Sequence, residues 1–456
     1  MRDRRELFRQ AADIAAAYRQ SAVERPVGRA PNLETLRKGF HRELPSRGIA
    51  PDQVLDSLVA AAEPGLVSSA GPRYFGFVTG GSLAGATAAE IVANGWDQNG
   101  FSPVMSPAAM IAEEAAGVWL KDLLRLPATA TVGFATGTQQ ATTILLAAAR
   151  QKVLADRGWN VGVEGLAGSP RLRVVASAER HATIDRSLRL LGIGTAAIKE
   201  VSTDDNGATL EEEMLAELDA HRDAATIVCL QVGNVNTGAV DPLRRVCEAA
   251  REVGAWVHVD GAFGLWAAAS PALNYLVDGV DLADSWSTDG HKWLNVPYDS
   301  GYAICAHPEI HSAAVGYTAA YLEGAGGASM GDLVLDSSRR ARGFATWAAI
   351  LELGRDGIAD MVDRCCELAK RFARILADGG VEIVNEVVLN QALASFGNND
   401  RTGAVIKAVQ EEGTCWLGGT TWRGRRMMRI SVSNWSTTEE DIDRSARAIL
   451  DVARKT

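Results

Sequence analysis

The residue whose setting best suits covalent chemistry is Lys292, in the stretch SWSTDGHKWLNVPYDSG over residues 285–301. It stands between His291 and Trp293. The run before it, Val280 to Trp286, reads as a buried strand, and the loop after it carries Pro297 and Gly301. An amine held among apolar and aromatic groups is desolvated, which lowers its pKa and leaves the neutral base able to condense with an aldehyde. Taken alone, a His-Lys pair also fits the commoner arrangement, a surface lysine whose stem lies along the neighbouring tryptophan.

Three upstream groups change that balance. A strand ending at Ala135 runs into Thr136-Gly137-Thr138-Gln139-Gln140, which opens a helix. Small hydroxyl residues at such a turn present N–H groups and a positive helix end to a phosphate, although capping alone would use the same residues. His181 follows a second strand, ending at Ser177, by four residues. Its imidazole could stack on a flat ring; a helix-capping or core histidine is the ordinary alternative. A third strand, Trp256–Asp260, ends in a carboxylate. Burying that carboxylate costs free energy unless a cation meets it, and a pyridinium N–H is such a cation. His258, on the same strand face, is expected to hydrogen-bond it. A turn-capping aspartate is the alternative. In chain order these are a phosphate cradle, a ring-stacking imidazole, a ring-nitrogen carboxylate and a Schiff-base lysine, which are the demands of pyridoxal 5'-phosphate.

Elements that position these groups are legible between about Thr131 and Cys305. Strands are expected at Thr131–Ala135, Leu172–Ser177, Ala196–Val201, Ala225–Val232, Trp256–Asp260, Leu282–Ser287 and Tyr302–Ala306, with helical segments between most of them. Such alternation predicts an α/β fold with a mostly parallel seven-stranded sheet and ligands at the carboxyl ends of its strands. Three domains are predicted: a helical N-terminal arm over 1–75, a large cofactor-binding domain over 76–340 and a small C-terminal α+β domain over 341–456. The last would hold strands Val381–Val384 and Met427–Val432 and a closing helix Thr437–Ala453, capped by Thr437 or Thr438 with Glu440. The arm's amphipathic helices need cover, from a second subunit or from the chain's own body.

Composition narrows the partners. The charge count, 46 − 56 = −10, has no basic patch or long like-charge block, so neither nucleic acid nor an anionic membrane is expected. The six scattered cysteines, without a CxxC, read as reduced core residues of a cytoplasmic protein, and no metal is expected.

The chain resembles the group II pyridoxal-phosphate-dependent amino-acid decarboxylases, the fold-type I family that includes aromatic-amino-acid, histidine and glutamate decarboxylases. The likeness rests on ATGTQQAT (135–142), AERHATIDRS (178–187), GNVNTGAVDPL (233–243), HVDGAFG (258–264), DGHKWLNVPYDSG (289–301) and RISVSNWSTTEEDID (429–443). It implies that Lys292 carries the Schiff base, Asp260 pairs with the pyridine nitrogen and His181 stacks on the ring. It also places Thr138, Gln139 and His291 around the phosphate and brings Asn234 to Thr237 toward the ring. A homodimer with a shared active site is implied, in which Tyr74 to Ser82 and Ser102-Pro103 of one subunit help line the substrate pocket of the other. The implied reaction is loss of CO₂ from an L-amino acid, followed by protonation of the α-carbon.

One departure bears on that reaction. The family's proton-donating loop tyrosine would fall in residues 327–336, GASMGDLVLD, which contain none. Tyr321 is the nearest candidate for the acid. Relatives with phenylalanine at the tyrosine position give an aldehyde, ammonia and hydrogen peroxide instead. The expected activity is thus decarboxylation; the alternatives are another reaction of the same cofactor, such as oxidative deamination, aldol cleavage or β-elimination, or a non-catalytic homologue. For the substrate, Trp119, Trp256 and Trp347 are expected in the core, and Arg339, Arg340 and Arg342 as solvated loop charges.

Overall fold

The computed structural model of the chain describes residues 3–28, 32–317 and 330–456. Its larger sheet has seven strands: β1 (Thr131–Ala135), β2 (Leu172–Ser177), β3 (Ile198–Val201), β4 (Ala225–Gln231), β5 (Trp256–Asp260), β6 (Ser285–Asp289) and β7 (Gly301–Cys305). They lie in the order β1-β7-β6-β5-β4-β2-β3. The pairs β2/β3, β2/β4, β4/β5 and β5/β6 are parallel, and β7 is antiparallel to both β6 and β1. β1 and β6 therefore run the same way, and the ends of β1, β2, β4, β5 and β6 open on one edge. β4, ATIVCLQ, is buried along its whole length. A near-continuous apolar run of this kind is what a strand covered on both faces requires.

β1, β2 and β5 keep their expected bounds. β6 does not: Val280–Leu282 forms a short 3-10 turn, and the strand runs from Ser285 through Thr288 and Asp289, which pair with Tyr302 and Gly301 of β7. That ladder carries a carboxylate to the end of a wholly buried strand. The helix Thr138–Ala155 packs on the sheet through Ile144, Leu145, Ala148 and Ala149, in one core with Val174, Ile227 and Trp256.

A second, four-stranded sheet has the order β10-β11-β9-β8, formed by β8 (Glu382–Ile383), β9 (Gln391–Ser395), β10 (Gly418–Trp422) and β11 (Arg425–Ser431). β8 and β11 were expected; β9 and β10 were not, because QALAS lacks the β-branched signature and GGTTW opens on two turn-forming glycines. The closing helix spans Glu439–Lys455, with Thr438 and Asp441 forming its capping box.

The chain divides into two compact units rather than three. One comprises 1–81, 371–384 and 393–456, and the other 82–370 and 385–392. The arm is thus part of the unit that holds the C-terminal segment. Backbone hydrogen bonds from Phe75 to Trp416, Trp416 to Arg73 and Val27 to Gly413 tie it there, and Arg73 is buried against Asp441 at 3.2 Å. The expected boundary at 340/341 falls instead at 370/371, inside the helix Gly343–Asp378. Among the described residues no helix is long and apolar enough to cross a membrane.

Candidate active site

The strand ends of the larger sheet enclose a cavity of about 340 Å³, lined by Thr138, Gln139, His181, Asp260, His291 and Lys292 among others. Residues some 150 positions apart in sequence meet there because β1, β2, β5 and β6 all point their carboxyl ends at one edge.

Asp260 closes β5 and is buried. Its Oδ1 accepts from the Ala262 N–H at 3.2 Å, and its Oδ2 has the Thr183 hydroxyl at 3.5 Å. Burial pushes this carboxyl up, and the positive charge available on His181 and Lys292 works in the other direction. A carboxylate with a weakly used oxygen facing a cavity suits a cationic N–H donor. His181 caps the helix Ala182–Leu190, the ordinary reading of this residue, and also lines the cavity. Its Nδ1 accepts from the Thr183 N–H at 3.3 Å and lies 3.0 Å from the Thr183 hydroxyl.

Lys292 sits in different company from that expected. Trp293 is fully buried and tilts against Phe263, away from solvent, while the Lys292 amine lies 3.0 Å from Asp289 Oδ2 with its side chain 24 % exposed. The other carboxylate oxygen, Oδ1, accepts from the Thr138 N–H at 2.6 Å and is 3.6 Å from His291 Nε2. Burial works against ionisation of Asp289, but the neighbouring Lys292 and His291 outweigh it and hold the carboxyl below its usual range. His291 Nδ1 accepts from the Ser300 N–H at 3.1 Å, and Tyr298 lies over the ring at 4.5 Å between centroids. Burial pushes the His291 pKa down, against the pull of Asp289; with Nδ1 taken by the Ser300 N–H, Nε2 is the nitrogen that faces Asp289.

Other expectations are corrected. His258 makes no hydrogen bond to Asp260: its Nδ1 lies 3.0 Å from the Ser285 hydroxyl and its buried Nε2 has no partner. Asn234 accepts from the Asn236 N–H at 2.9 Å within its turn and donates to Glu179 O, just after β2, at 3.1 Å, while its neighbours Gly233 and Val235 line the cavity. Gln139 keeps its expected place on the cavity wall and donates to the Ser187 hydroxyl at 3.0 Å. Arg339 and Arg342 are buried rather than solvated, pairing with Glu113 and Asp299. Trp119 and Trp347 are a half-exposed stacked pair, and of the three tryptophans only Trp256 is core. Tyr321 lies outside the described residues.

Reading the sequence missed Asp289 and Thr183. Asp289 was findable by the reasoning applied to Asp260, as a carboxylate ending an otherwise buried strand; Thr183 carried no signal, since its place depends on how the helix Ala182–Leu190 meets β5.

The residues fit pyridoxal phosphate. Thr138 is 5 % exposed and its Oγ1 has no hydrogen-bond partner, an orphan donor beside helix N–H groups where a phosphate would sit. Asp260 and Lys292 line the same cavity.

A family model described as the pyridoxal-dependent decarboxylase conserved domain matches residues 34–396. Tryptophan decarboxylase 1 of Oryza sativa subsp. japonica is 29% identical over 485 residues, covering 97% of this chain and 92% of the relative. Phenylacetaldehyde synthase of Arabidopsis thaliana is 27% identical, covering 97% and 94%. Among solved structures, Oryza sativa TDC with PLP and tryptamine has the same fold, with a TM-score of 0.91 at 23% identity over 99% of this chain and 97% of that one.

Proposed function

The chain belongs to the pyridoxal-dependent decarboxylase family, and we propose that, as a pyridoxal-phosphate-dependent amino-acid decarboxylase, it acts on an aromatic L-amino acid at the cavity around Lys292. The observation that carries the site is the convergence of a buried strand-end carboxylate, an orphaned cradle hydroxyl and a lysine amine on one cavity. The aromatic substrate is supported by the names of full-length relatives, a tryptophan decarboxylase and an aromatic-L-amino-acid decarboxylase.

Bound pyridoxal phosphate supplies the electron sink that decarboxylation needs. The chain's own groups have separate tasks. Lys292 Nζ is the nucleophile that holds the cofactor aldehyde, and Asp289 orients it. Asp260 keeps a proton on the ring nitrogen. Thr138 and the first N–H groups of its helix would hold the phosphate, and His181 would border the ring. Asp289 and Asp260 act from buried positions, where fixed charges exert more force than in water.

The enzyme works as a homodimer in this reading, with Tyr74 to Ser82 and Ser102-Pro103 contributed across the interface. Support comes from exposed apolar side chains in residues 91–118, among them Trp96, Val104, Ile111 and Val118. A reducing, cytoplasmic setting is supported by six free, buried cysteines.

The test is to supply pure protein with a panel of L-amino acids while CO₂, oxygen and ammonia are recorded together. CO₂ release with an aromatic substrate and without oxygen uptake is expected. Equal oxygen uptake and ammonia release would make the protein an aldehyde-forming enzyme, as in the phenylacetaldehyde synthases it is similar to.

A further inference from the structure

We propose that Asp289 is a built-in competitor of the cofactor's phosphate: its carboxylate ties the Thr138 N–H to the Lys292 amine, and its charge sets how tightly phosphate is retained. The inference rests on the assignment of this cavity to pyridoxal phosphate.

Three observations carry it. First, the Oδ1 of Asp289 accepts from the Thr138 N–H at 2.6 Å, so a carboxylate already uses an N–H at the mouth of the helix Thr138–Ala155. Secondly, the neighbouring Thr138 hydroxyl is buried and unpartnered, which leaves the cradle half used. An anion entering it would meet Asp289 as a like charge in a buried setting, where repulsion is weakly screened. Thirdly, the backbone is shaped around this carboxylate. A Cβ on Gly301 would lie 2.9 Å from Asp289 Oδ1, and one on Gly137 would lie 3.3 Å from it and 3.1 Å from His291 Cε1.

The pairing of Oδ2 with Lys292 Nζ at 3.0 Å gives the arrangement a second consequence. One carboxylate thus pairs the Lys292 amine and occupies an N–H at the helix end. Entry of the phosphate then displaces Asp289 from the Thr138 N–H.

The experiment uses cofactor-stripped wild type and Asp289→Asn, with binding of inorganic phosphate, pyridoxal phosphate and unphosphorylated pyridoxal measured by calorimetry and by Schiff-base absorbance. Asparagine keeps an acceptor for the Thr138 N–H and removes the charge. Both phosphate-bearing ligands are expected to bind at least about tenfold more tightly to the variant, and pyridoxal to gain less than either. Phosphate affinity that is unchanged or weaker in Asp289→Asn, with wild type still taking up pyridoxal phosphate, would overturn the inference. Wild type that takes up no pyridoxal phosphate would instead overturn the assignment of the site. Thr138→Val keeps the test usable should Asp289→Asn fail to fold: phosphate affinity should fall about tenfold, and no change would remove the cradle from the argument.

Discussion

At the scale of single residues, a residue lining the cavity was legible wherever it was out of place in its element. Asp260 announces itself because a carboxylate does not end an apolar strand without a partner. Replacing it by asparagine should leave cofactor binding largely intact and lower turnover by about a hundredfold or more, because the amide cannot keep the ring nitrogen protonated; near-normal turnover in a steady-state assay would reassign the residue. His258 was misread, since strand alternation tells which face a side chain shares but not which neighbour it meets. It bonds Ser285, and burial pushes its pKa down to about 3, as burial pushes that of His311 to about 4. An unfolded imidazole titrates near 6.5, so the unfolded chain binds the additional protons below that pH. These two groups therefore stabilise the fold fully above about pH 6.5 and lose that contribution as the pH falls toward their folded values. Asp241, raised by burial to about 6, opposes them: its contribution is present at low pH and lost as the pH rises through that value. A His258→Asn variant isolates the first effect. Its melting temperature should fall less than that of wild type between about pH 6.5 and 4.5, and parallel curves would show that His258 is not held neutral.

At the scale of elements, the errors have one origin. The run Arg339-Arg340-Ala341-Arg342 looks like solvated charge, yet Arg339 leads into the helix Gly343–Asp378 and donates two hydrogen bonds to Glu113 of the helix Pro107–Leu123, with both residues buried. Only the path of the chain brings that acid within reach. Arg339→Met should cost roughly 3–5 kcal/mol in chemical denaturation, because it strands a buried carboxylate, and adding Glu113→Gln should restore part of the loss. Independent, additive costs would deny the pairing. The turn at the start of β7 is similarly exacting: a Cβ at Gly301 would collide with Gly137 Cα. Gly301→Ala should lower both the melting temperature and cofactor retention, whereas loss of stability alone would separate this turn from the phosphate site.

At the scale of the whole molecule, the pattern of strands and helices was readable and its division into units was not. Of the described side chains in the helices Arg4–Ser21, Leu33–Phe40 and Pro51–Ala62 only Ala61 is buried, and backbone bonding to the segment around Trp416 ties the arm to the C-terminal unit. The exposed side chains of Trp96, Ile111 and Val118 belong to the other unit and form part of the surface proposed for the second subunit. Sedimentation should give twice 48.4 kDa for the wild type. Ile111→Glu combined with Val118→Glu should shift it toward the monomer, with loss of activity if the site is shared. A wild-type monomer with full activity would refute the shared site.

What sequence alone determined follows from local rules. An apolar run buried on both faces must be a central strand; strands alternating with helices must make a largely parallel sheet; and residues just past such strands must face one edge. Thr138, His181, Asp260 and Lys292 could be picked out on those grounds, in their order along the chain. Tertiary structure decided which polar atoms pair there. It placed Asp289 between Thr138 and Lys292, turned Asn234 into its own loop and buried Arg339 against Glu113. Hydrogen bonds and ion pairs depend on separations of about 3 Å, and such separations between residues far apart in sequence are set by the register of the sheet and the packing of its helices.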